Sequence, residues 1–152
     1  MGHNQRTMKK LGELFHVGGT CMWFAPSGGR DRRGADGKVE LSPFDPNAIE
    51  MVRLVAEGAG AGGKTHFYPM SLMTHNIFPP PSSVGGEFGE ERKVNWTQLG
   101  LAVGAEVTEE RQSSTLTGAE AKRAQKAARA ERARKLFEEM EEGYTAIGGY
   151  EQ

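Results

Sequence analysis

Residues 21–32 constrain the fold of this sequence more than any other stretch, because a short apolar run leads directly into a glycine-paired turn. Residues 21–25 are continuously apolar, a pattern typical of a strand that is covered on both faces. Pro26 has no amide hydrogen and therefore ends the ladder of such a strand. Gly28 and Gly29 have no Cβ, so the backbone can turn tightly and present its amide groups to a ligand. The sequence therefore predicts a buried strand that ends in a ligand-binding turn.

Two arginines give this turn its chemical character. Arg30 and Arg32 are two positions apart, so in extended backbone their side chains leave from the same side. Two guanidinium groups beside the Ser27 hydroxyl and the amides of Gly28 and Gly29 suit a phosphate or carboxylate ligand. A surface turn with solvated arginines explains the bare pattern equally well. Ser27 is not predicted to be a nucleophile, because the sequence places no general base beside it.

The composition excludes several classes of function. The chain has 152 residues, which is enough for one domain with a hydrophobic core. A formal net charge of -1 argues against binding nucleic acid through bulk charge. No apolar run is long enough to cross a bilayer, and the single cysteine, Cys21, excludes an internal disulfide framework. No histidine or cysteine spacing indicates a metal site, so His66 and His75 are interpreted as structural.

Hydrophobic periodicity and turn signals predict alternating helices and strands. Helices are predicted over residues 4–15, 47–57 and 117–142. Asp45 and Thr117 are the predicted caps of the second and third helices, the latter in a capping box with Glu120, and Gly18 and Gly143 are predicted stops. Strands are predicted over residues 65–73, with Pro69 at the downstream edge, and over residues 93–96 and 99–103.

These elements predict an α/β fold with a long C-terminal helix. We expect part of a mixed central β-sheet flanked by helices, with the glycine turn at the end of a strand. Residues 1–116 are expected to form the α/β unit, and residues 117–152 to form a helix and tail that dock on it. The first turns of that helix carry few apolar residues, so its front is predicted to face solvent.

Two other stretches of the sequence resemble binding elements that compete with the phosphate-binding turn. Residues 58–65 match the letters of a nucleotide-binding P-loop, but they follow a predicted helix and precede a predicted strand, the reverse of the required context. A basic RNA-binding helix over residues 122–135 is the other alternative. Glutamates of the same helix cancel most of its positive field and argue against it: Glu131, Glu138, Glu139, Glu141 and Glu142.

Several strings of residues resemble the soluble plastid glycerol-3-phosphate 1-O-acyltransferases, in the order in which that family carries them. The strings are Trp23-Phe24-Ala25-Pro26-Ser27-Gly28-Gly29-Arg30-Asp31-Arg32, Pro43-Phe44-Asp45-Pro46, His66-Phe67-Tyr68-Pro69-Met70-Ser71-Leu72 and Ile77-Phe78-Pro79-Pro80-Pro81. The similarity covers nearly the whole chain and corresponds to the C-terminal half of the family's catalytic domain. It implies a glycerolipid acyltransferase-like fold.

The resemblance also implies a reaction. In this family a fatty acyl group passes from acyl-carrier protein or coenzyme A to the 1-hydroxyl of glycerol 3-phosphate, in the plastid stroma and without a further cofactor. Arg30 and Arg32 match the arginines that hold the substrate phosphate. No nucleic acid and no transmembrane segment are expected.

The sequence departs from the family at the catalytic base. The family places this base in a His-x-x-x-x-Asp motif, but the residues five places after the four histidines are Met8, Cys21, Ser71 and Pro80. We therefore expect this chain alone to be inactive. It is either a fragment whose other half carries the base, or a short non-catalytic module that binds a phosphorylated ligand.

Overall fold

The computed structural model describes residues 2–29, 31–33, 38–58, 65–79, 94–107 and 117–150. Within them the elements follow the order α1 (His3–Val17), β1 (Arg32–Arg33), β2 (Val39–Glu40), α2 (Pro46–Gly58), β3 (Met70–Met73), β4 (Gly100–Val103) and α3 (Gly118–Ala146). β1 pairs with β2 and β3 pairs with β4, both in antiparallel orientation. The predicted α/β class and the long C-terminal helix are confirmed.

α1 forms where apolar side chains recur at helical spacing, and it packs against α2. Met8, Leu11 and Phe15 are half-buried along one side of the helix. Gly18 adopts a φ of 78°, and its amide donates to the carbonyl of Phe15 at 3.1 Å. A positive φ is readily adopted only by glycine, so Gly18 ends the helix as predicted.

The beginning of α2 follows the predicted capping chemistry. Asp45 Oδ1 accepts a hydrogen bond from the Asn47 amide at 2.9 Å, and the Asp45 carbonyl accepts from the Ile49 amide at 3.3 Å. Pro46 occupies the first helical position, where its missing amide hydrogen removes no helical hydrogen bond. The cap therefore fixes the point at which the chain enters α2.

The hydrophobic core lies between α2 and α3. Ile49 is the most deeply buried large side chain and packs with Ala133 and Leu136. Half-buried side chains from four other segments pack against this cluster: Phe24, Phe44, Phe67 and Val107. The ring of Phe44 also meets the ring of Phe137 edge-to-face, with centroids 5.5 Å apart. This core joins the segment before the glycine turn to α2 and α3.

α3 covers one face of the β3–β4 hairpin. Ser71 pairs with Ala102 in the register, and the Ser71 hydroxyl donates to the carbonyl of Met140 in α3. The side chains that alternate with them, Leu72 and Leu101, are exposed. The hairpin is therefore buried on its α3 side and open on the other.

The predicted strand over residues 21–25 is wrong. These residues form no strand, Cys21 is exposed, and the side chain of Trp23 is 65% exposed. Of this run, Phe24 packs against the core. This apolar run is therefore a loop segment in which Phe24 packs against the core, and not a strand that is covered on both faces.

The strand predictions around β3 and β4 need two further corrections. β3 begins only after Pro69, which therefore lies upstream of the strand and not at its downstream edge. Residues 94–96 form no strand, because the Asn95 amide donates to the Ile77 carbonyl at 2.9 Å and ties this segment to a turn. Lys93 lies outside the described residues. The third prediction is confirmed, since β4 spans Gly100–Val103.

The predicted capping box at the start of α3 and the predicted stop at Gly143 are both wrong. Thr117 occupies the N-cap position, but its side chain makes no capping hydrogen bond, so the capping box with Glu120 does not form. The helix continues past Gly143 to Ala146. A Cβ on Gly143 would lie 2.9 Å from Ser71 Oγ, which shows that this glycine allows α3 to approach the hairpin closely. The front of α3 is exposed, as predicted.

Candidate phosphate-binding site

The predicted glycine turn is present in the structure. The Gly28 amide donates to the carbonyl of Ala25 at 3.1 Å, and the Ser27 hydroxyl donates to the carbonyl of Gly29 at 3.4 Å. Gly28 has a φ of 70°, so the turn requires glycine at this position. The backbone therefore reverses sharply within three residues of Pro26.

Two hydrogen bonds, one between backbone groups and one to a carboxylate side chain, hold the turn and the residues after it against the rest of the fold. The Asp45 amide donates to the carbonyl of Pro26 at 3.2 Å, which fixes the turn to the start of α2. Asp31 Oδ1 accepts from the Ser42 amide at 2.8 Å. Arg32 then pairs with Glu40 in the β1–β2 hairpin. The segment that carries the arginines is thus attached to residues 40–45 at several points.

The structure describes only part of the predicted site. Ser27, Gly28 and Gly29 lie together in the turn. Arg30 lies outside the described residues, and so does the side chain of Arg32. The backbone of Arg32 is extended in β1, which is the condition under which Arg30 and Arg32 would leave from the same side. Convergence of the two guanidinium groups stays a prediction.

Two tyrosines near the end of α3 share the electrostatic environment of Asp31, and no pattern in the sequence indicated them. The Tyr144 and Tyr150 rings meet edge-to-face with centroids 5.1 Å apart. Burial, with a smaller effect from the Asp31 charge, raises the pKa of Tyr144. Burial also raises the pKa of Tyr150 to about 12, together with a 2.9 Å hydrogen bond to Glu141 and smaller effects that include the Asp31 charge. Asp31 therefore lies within electrostatic range of the end of α3.

His66 has a carboxylate partner that spacing in the sequence could not reveal. His66 Nδ1 lies 2.7 Å from Glu106 Oε1, and the Tyr68 hydroxyl donates to Glu106 Oε2 at 3.4 Å. The carboxylate orients the imidazole ring, but a general base must also lie within hydrogen-bond reach of the proton that it removes. This pair connects the segment before β3 to the segment after β4, and no hydrogen bond in the described part of the chain links it to the glycine turn.

The described residues contain no group of three or more His, Cys, Asp or Glu side chains that could hold a metal ion. In the same part of the chain, no helix combines the length and the apolar character needed to span a membrane.

Comparison with curated proteins identifies relatives that share one name. The chain is 40% identical over 105 residues to the chloroplastic glycerol-3-phosphate acyltransferase of Arabidopsis thaliana, which covers 68% of this chain and 22% of that protein. It is 39% identical over 105 residues to the protein of the same name from Spinacia oleracea, with the same coverage of 68% and 22%. The chain belongs to the plastid glycerol-3-phosphate acyltransferase family.

A third relative from this acyltransferase family, from Pisum sativum, is 35% identical over 106 residues, which is 69% of this chain and 23% of that protein. This chain thus spans between a fifth and a quarter of the length of these curated relatives. No protein-family profile matches the chain. The family resemblance found in the sequence strings is confirmed.

Two of the strings that resemble the acyltransferases contact each other in the fold. The Pro43–Pro46 string begins α2 and holds the glycine turn through the hydrogen bond between Asp45 and Pro26. The string that contains Pro69 leads into β3, and the carbonyl of Pro69, just before this strand, accepts from the Gly104 amide at 2.9 Å. These strings therefore include residues that hold the glycine turn and the start of β3 in place.

Proposed function

We propose that this chain supplies the glycerol 3-phosphate-binding part of a plastid glycerol-3-phosphate 1-O-acyltransferase. The observation that carries the proposal is the 40% identity to such a protein, combined with a glycine turn that is anchored to the start of α2. The complete reaction transfers a fatty acyl group from acyl-carrier protein or coenzyme A to the 1-hydroxyl of glycerol 3-phosphate, in the plastid stroma. Within this arrangement residues 1–116 are the α/β unit, and residues 117–152 dock on it.

The proposed role of the turn is to hold the substrate phosphate. Arg30 and Arg32 would donate charge-assisted hydrogen bonds to the phosphate oxygens, which are stronger than bonds between neutral groups. The amides of Gly28 and Gly29 and the Ser27 hydroxyl would contact the remaining oxygens. Binding the phosphate at a fixed point would orient the 1-hydroxyl toward the thioester. The two reacting groups would then be held in place, which lowers the entropic part of the activation barrier.

The chemistry also needs a base, and we place it outside this sequence. The attacking hydroxyl must lose a proton while its oxygen bonds to the thioester carbonyl carbon and the thiol leaves. The chain contains no His-x-x-x-x-Asp motif. The same absence favours the second candidate function, a non-catalytic module that binds a phosphorylated ligand. Both functions use the same turn and differ only in turnover.

We expect Arg32→Ala to weaken the binding of glycerol 3-phosphate at least about tenfold, because a hydrogen bond to a charged group contributes roughly 1.5 to 3 kcal/mol. Isothermal titration calorimetry of the purified chain would measure the dissociation constant. Arg6→Ala is the matched control, since Arg6 is an exposed arginine on α1. Equal affinities in the two variants would remove Arg32 from the site.

Turnover separates the two candidate functions. The chain incubated with acyl-carrier protein thioester and glycerol 3-phosphate should release no free thiol above the uncatalysed rate. Addition of a polypeptide that carries the family's His-x-x-x-x-Asp segment should restore transfer if the chain is part of the enzyme. Transfer by the chain alone would contradict the placement of the base. Binding without restored transfer would support the non-catalytic module.

A further inference from the structure

A cavity of about 410 Å³ lies between the start of α2 and the front half of α3. Its lining includes three cationic side chains, Lys122, Lys126 and Arg129, and two amide side chains, Asn47 and Gln125. Among the residues that the structure describes, no carboxylate lines this basic cavity. Its volume is in the range of sites that bind small molecules.

The charge of Arg129 is only partly compensated by its neighbour. Its Nε lies 3.3 Å from Glu50 Oε1, but this atom makes no hydrogen bond in the described structure. Glu50 already accepts hydrogen bonds from Arg53 at 2.7 and 2.9 Å and from Arg132 at 2.7 Å. Glu50 therefore offsets the charge of Arg129 only in part, because its oxygens also accept hydrogen bonds from Arg53 and Arg132.

The two lysines of the basic cavity have no carboxylate partner within the described residues. Lys122 and Lys126 are four positions apart on α3, where like charges repel each other slightly. Farther along the same helix the arrangement is different, because Arg134 forms ion pairs with Glu131 and Glu138. Glu131 and Glu138 thus neutralise Arg134 in the middle of α3, and they do not pair with the lysines of the basic cavity.

The start of α2 adds little to this field. Pro46 and Asn47 line the cavity, and the positive end of a helix dipole favours an anion. However, the Asp45 carboxylate accepts a hydrogen bond from the Asn47 amide and offsets part of the dipole. Attraction of an anion to the basic cavity therefore depends on its three cationic side chains.

We propose that the basic cavity binds a phosphate-bearing ligand, a phosphate monoester or diphosphate group held by Lys122, Lys126 and Arg129. The cations converge on a concave space that is sized for a small group, and lysine and arginine are the usual partners of phosphate oxygens. A nucleic acid is disfavoured, because its backbone would continue along α3 past the carboxylates of Glu131 and Glu138. This second anion site goes beyond the proposed glycerol 3-phosphate site, since none of its lining residues belongs to residues 27–32.

The phosphate group could be free in solution or belong to a lipid headgroup, and two measurements distinguish these sources. The first is calorimetric titration with pyrophosphate at constant ionic strength, using the chain with Arg32→Ala so that the glycine turn contributes little. The second is co-sedimentation of the same chain with phosphatidylcholine vesicles that contain phosphatidic acid. Because both measurements use the Arg32→Ala background, their outcome does not depend on whether glycerol 3-phosphate binds the turn.

The double substitution Lys122→Ala/Lys126→Ala should weaken binding at least about tenfold, because two charge-assisted contacts are lost. The matched control is Arg123→Ala/Lys135→Ala, which removes the same charge from exposed positions of the same helix that do not line the cavity. The control should change the dissociation constant less than about twofold.

Loss of pyrophosphate binding in the cavity variant alone would support a ligand that is free in solution. Selective loss of vesicle binding, without pyrophosphate binding, would support a lipid headgroup. Equal loss in both double variants would show an effect of total charge and overturn the proposal. The proposal would also be overturned by the absence of binding in both measurements, or by tighter binding of single-stranded RNA than of either ligand.

Discussion

Replacing Glu50 by glutamine will lower the free energy of unfolding of this chain by about 3 to 5 kcal/mol, the range for breaking a buried ion pair from one side. Glu50 is 5% exposed and faces the half-buried guanidinium groups of Arg53 and Arg132. The substitution keeps the shape of the side chain but removes the buried carboxylate charge that faces both guanidinium groups. Urea denaturation at pH 7, followed by circular dichroism, would measure the change.

Glu57→Gln is the matched control for this substitution. Glu57 contacts the same Arg53 guanidinium at 2.5 Å, but its side chain is 44% exposed. An exposed ion pair contributes at most about 1 kcal/mol, so this variant should remain close to the unmodified chain. A Glu50 variant as stable as the Glu57 variant would mean that the arginine cluster does not join α2 to α3.

The free energy of unfolding of the unmodified chain should depend on pH because of the same interaction. The hydrogen bond from Arg53, with the charges of Arg53, Arg132 and Arg129, lowers the pKa of Glu50 from 4.5 to about 2 against the opposing effect of burial. Because the folded state has the lower pKa, the stabilisation is fully present above pH 4.5 and is lost as the pH falls toward 2. The loss corresponds to roughly 3 kcal/mol. In urea denaturation at a series of pH values, the Glu50→Gln variant should not show this loss of stability between pH 4.5 and 2.

The features predicted correctly from the sequence depend on neighbouring residues. Gly18 ends α1 because its own backbone adopts a positive φ, and Asp45 caps α2 two residues away. The turn at Gly28 likewise depends on a single glycine. Chemistry of this kind is contained within a few positions, so a pattern in the sequence is sufficient to locate it.

The features that the sequence did not reveal depend on contacts between distant segments. Arg132 reaches Glu50 across the interface of α3 and α2, and helical spacing within α3 gives no sign of this partner. Residues 21–25 look like a buried strand, although Phe24 is the residue of that run which packs against the core. The basic cavity likewise exists only because the start of α2 lies beside Lys122 and Lys126. Each of these features required the tertiary arrangement.

Gly143→Ala will lower the free energy of unfolding by about 2 kcal/mol, although alanine is the better helix former. The new Cβ would lie 2.9 Å from Ser71 Oγ and 3.3 Å from Ala102 Cβ. The Ser71 hydroxyl is held in place by its hydrogen bond to the Met140 carbonyl, so it cannot move away without losing that contact. α3 must therefore shift away from the hairpin, and the buried packing between them weakens. Thermal or urea denaturation would measure this loss.

Gly12→Ala should have the opposite effect, and the pair of variants separates packing from helix propensity. Gly12 also lies within a helix, but a Cβ at this position would meet Val55 Cγ1 at an ordinary contact distance of 3.9 Å. Alanine there should stabilise the chain by up to about 1 kcal/mol. Removing the obstructing hydroxyl in Ser71→Ala/Gly143→Ala should recover part of the loss, because the closest contact is then gone. If Gly143→Ala stabilises the chain as Gly12→Ala does, then Gly143 only lowers the helix propensity of α3. The close approach of α3 to the hairpin would then not require glycine at this position.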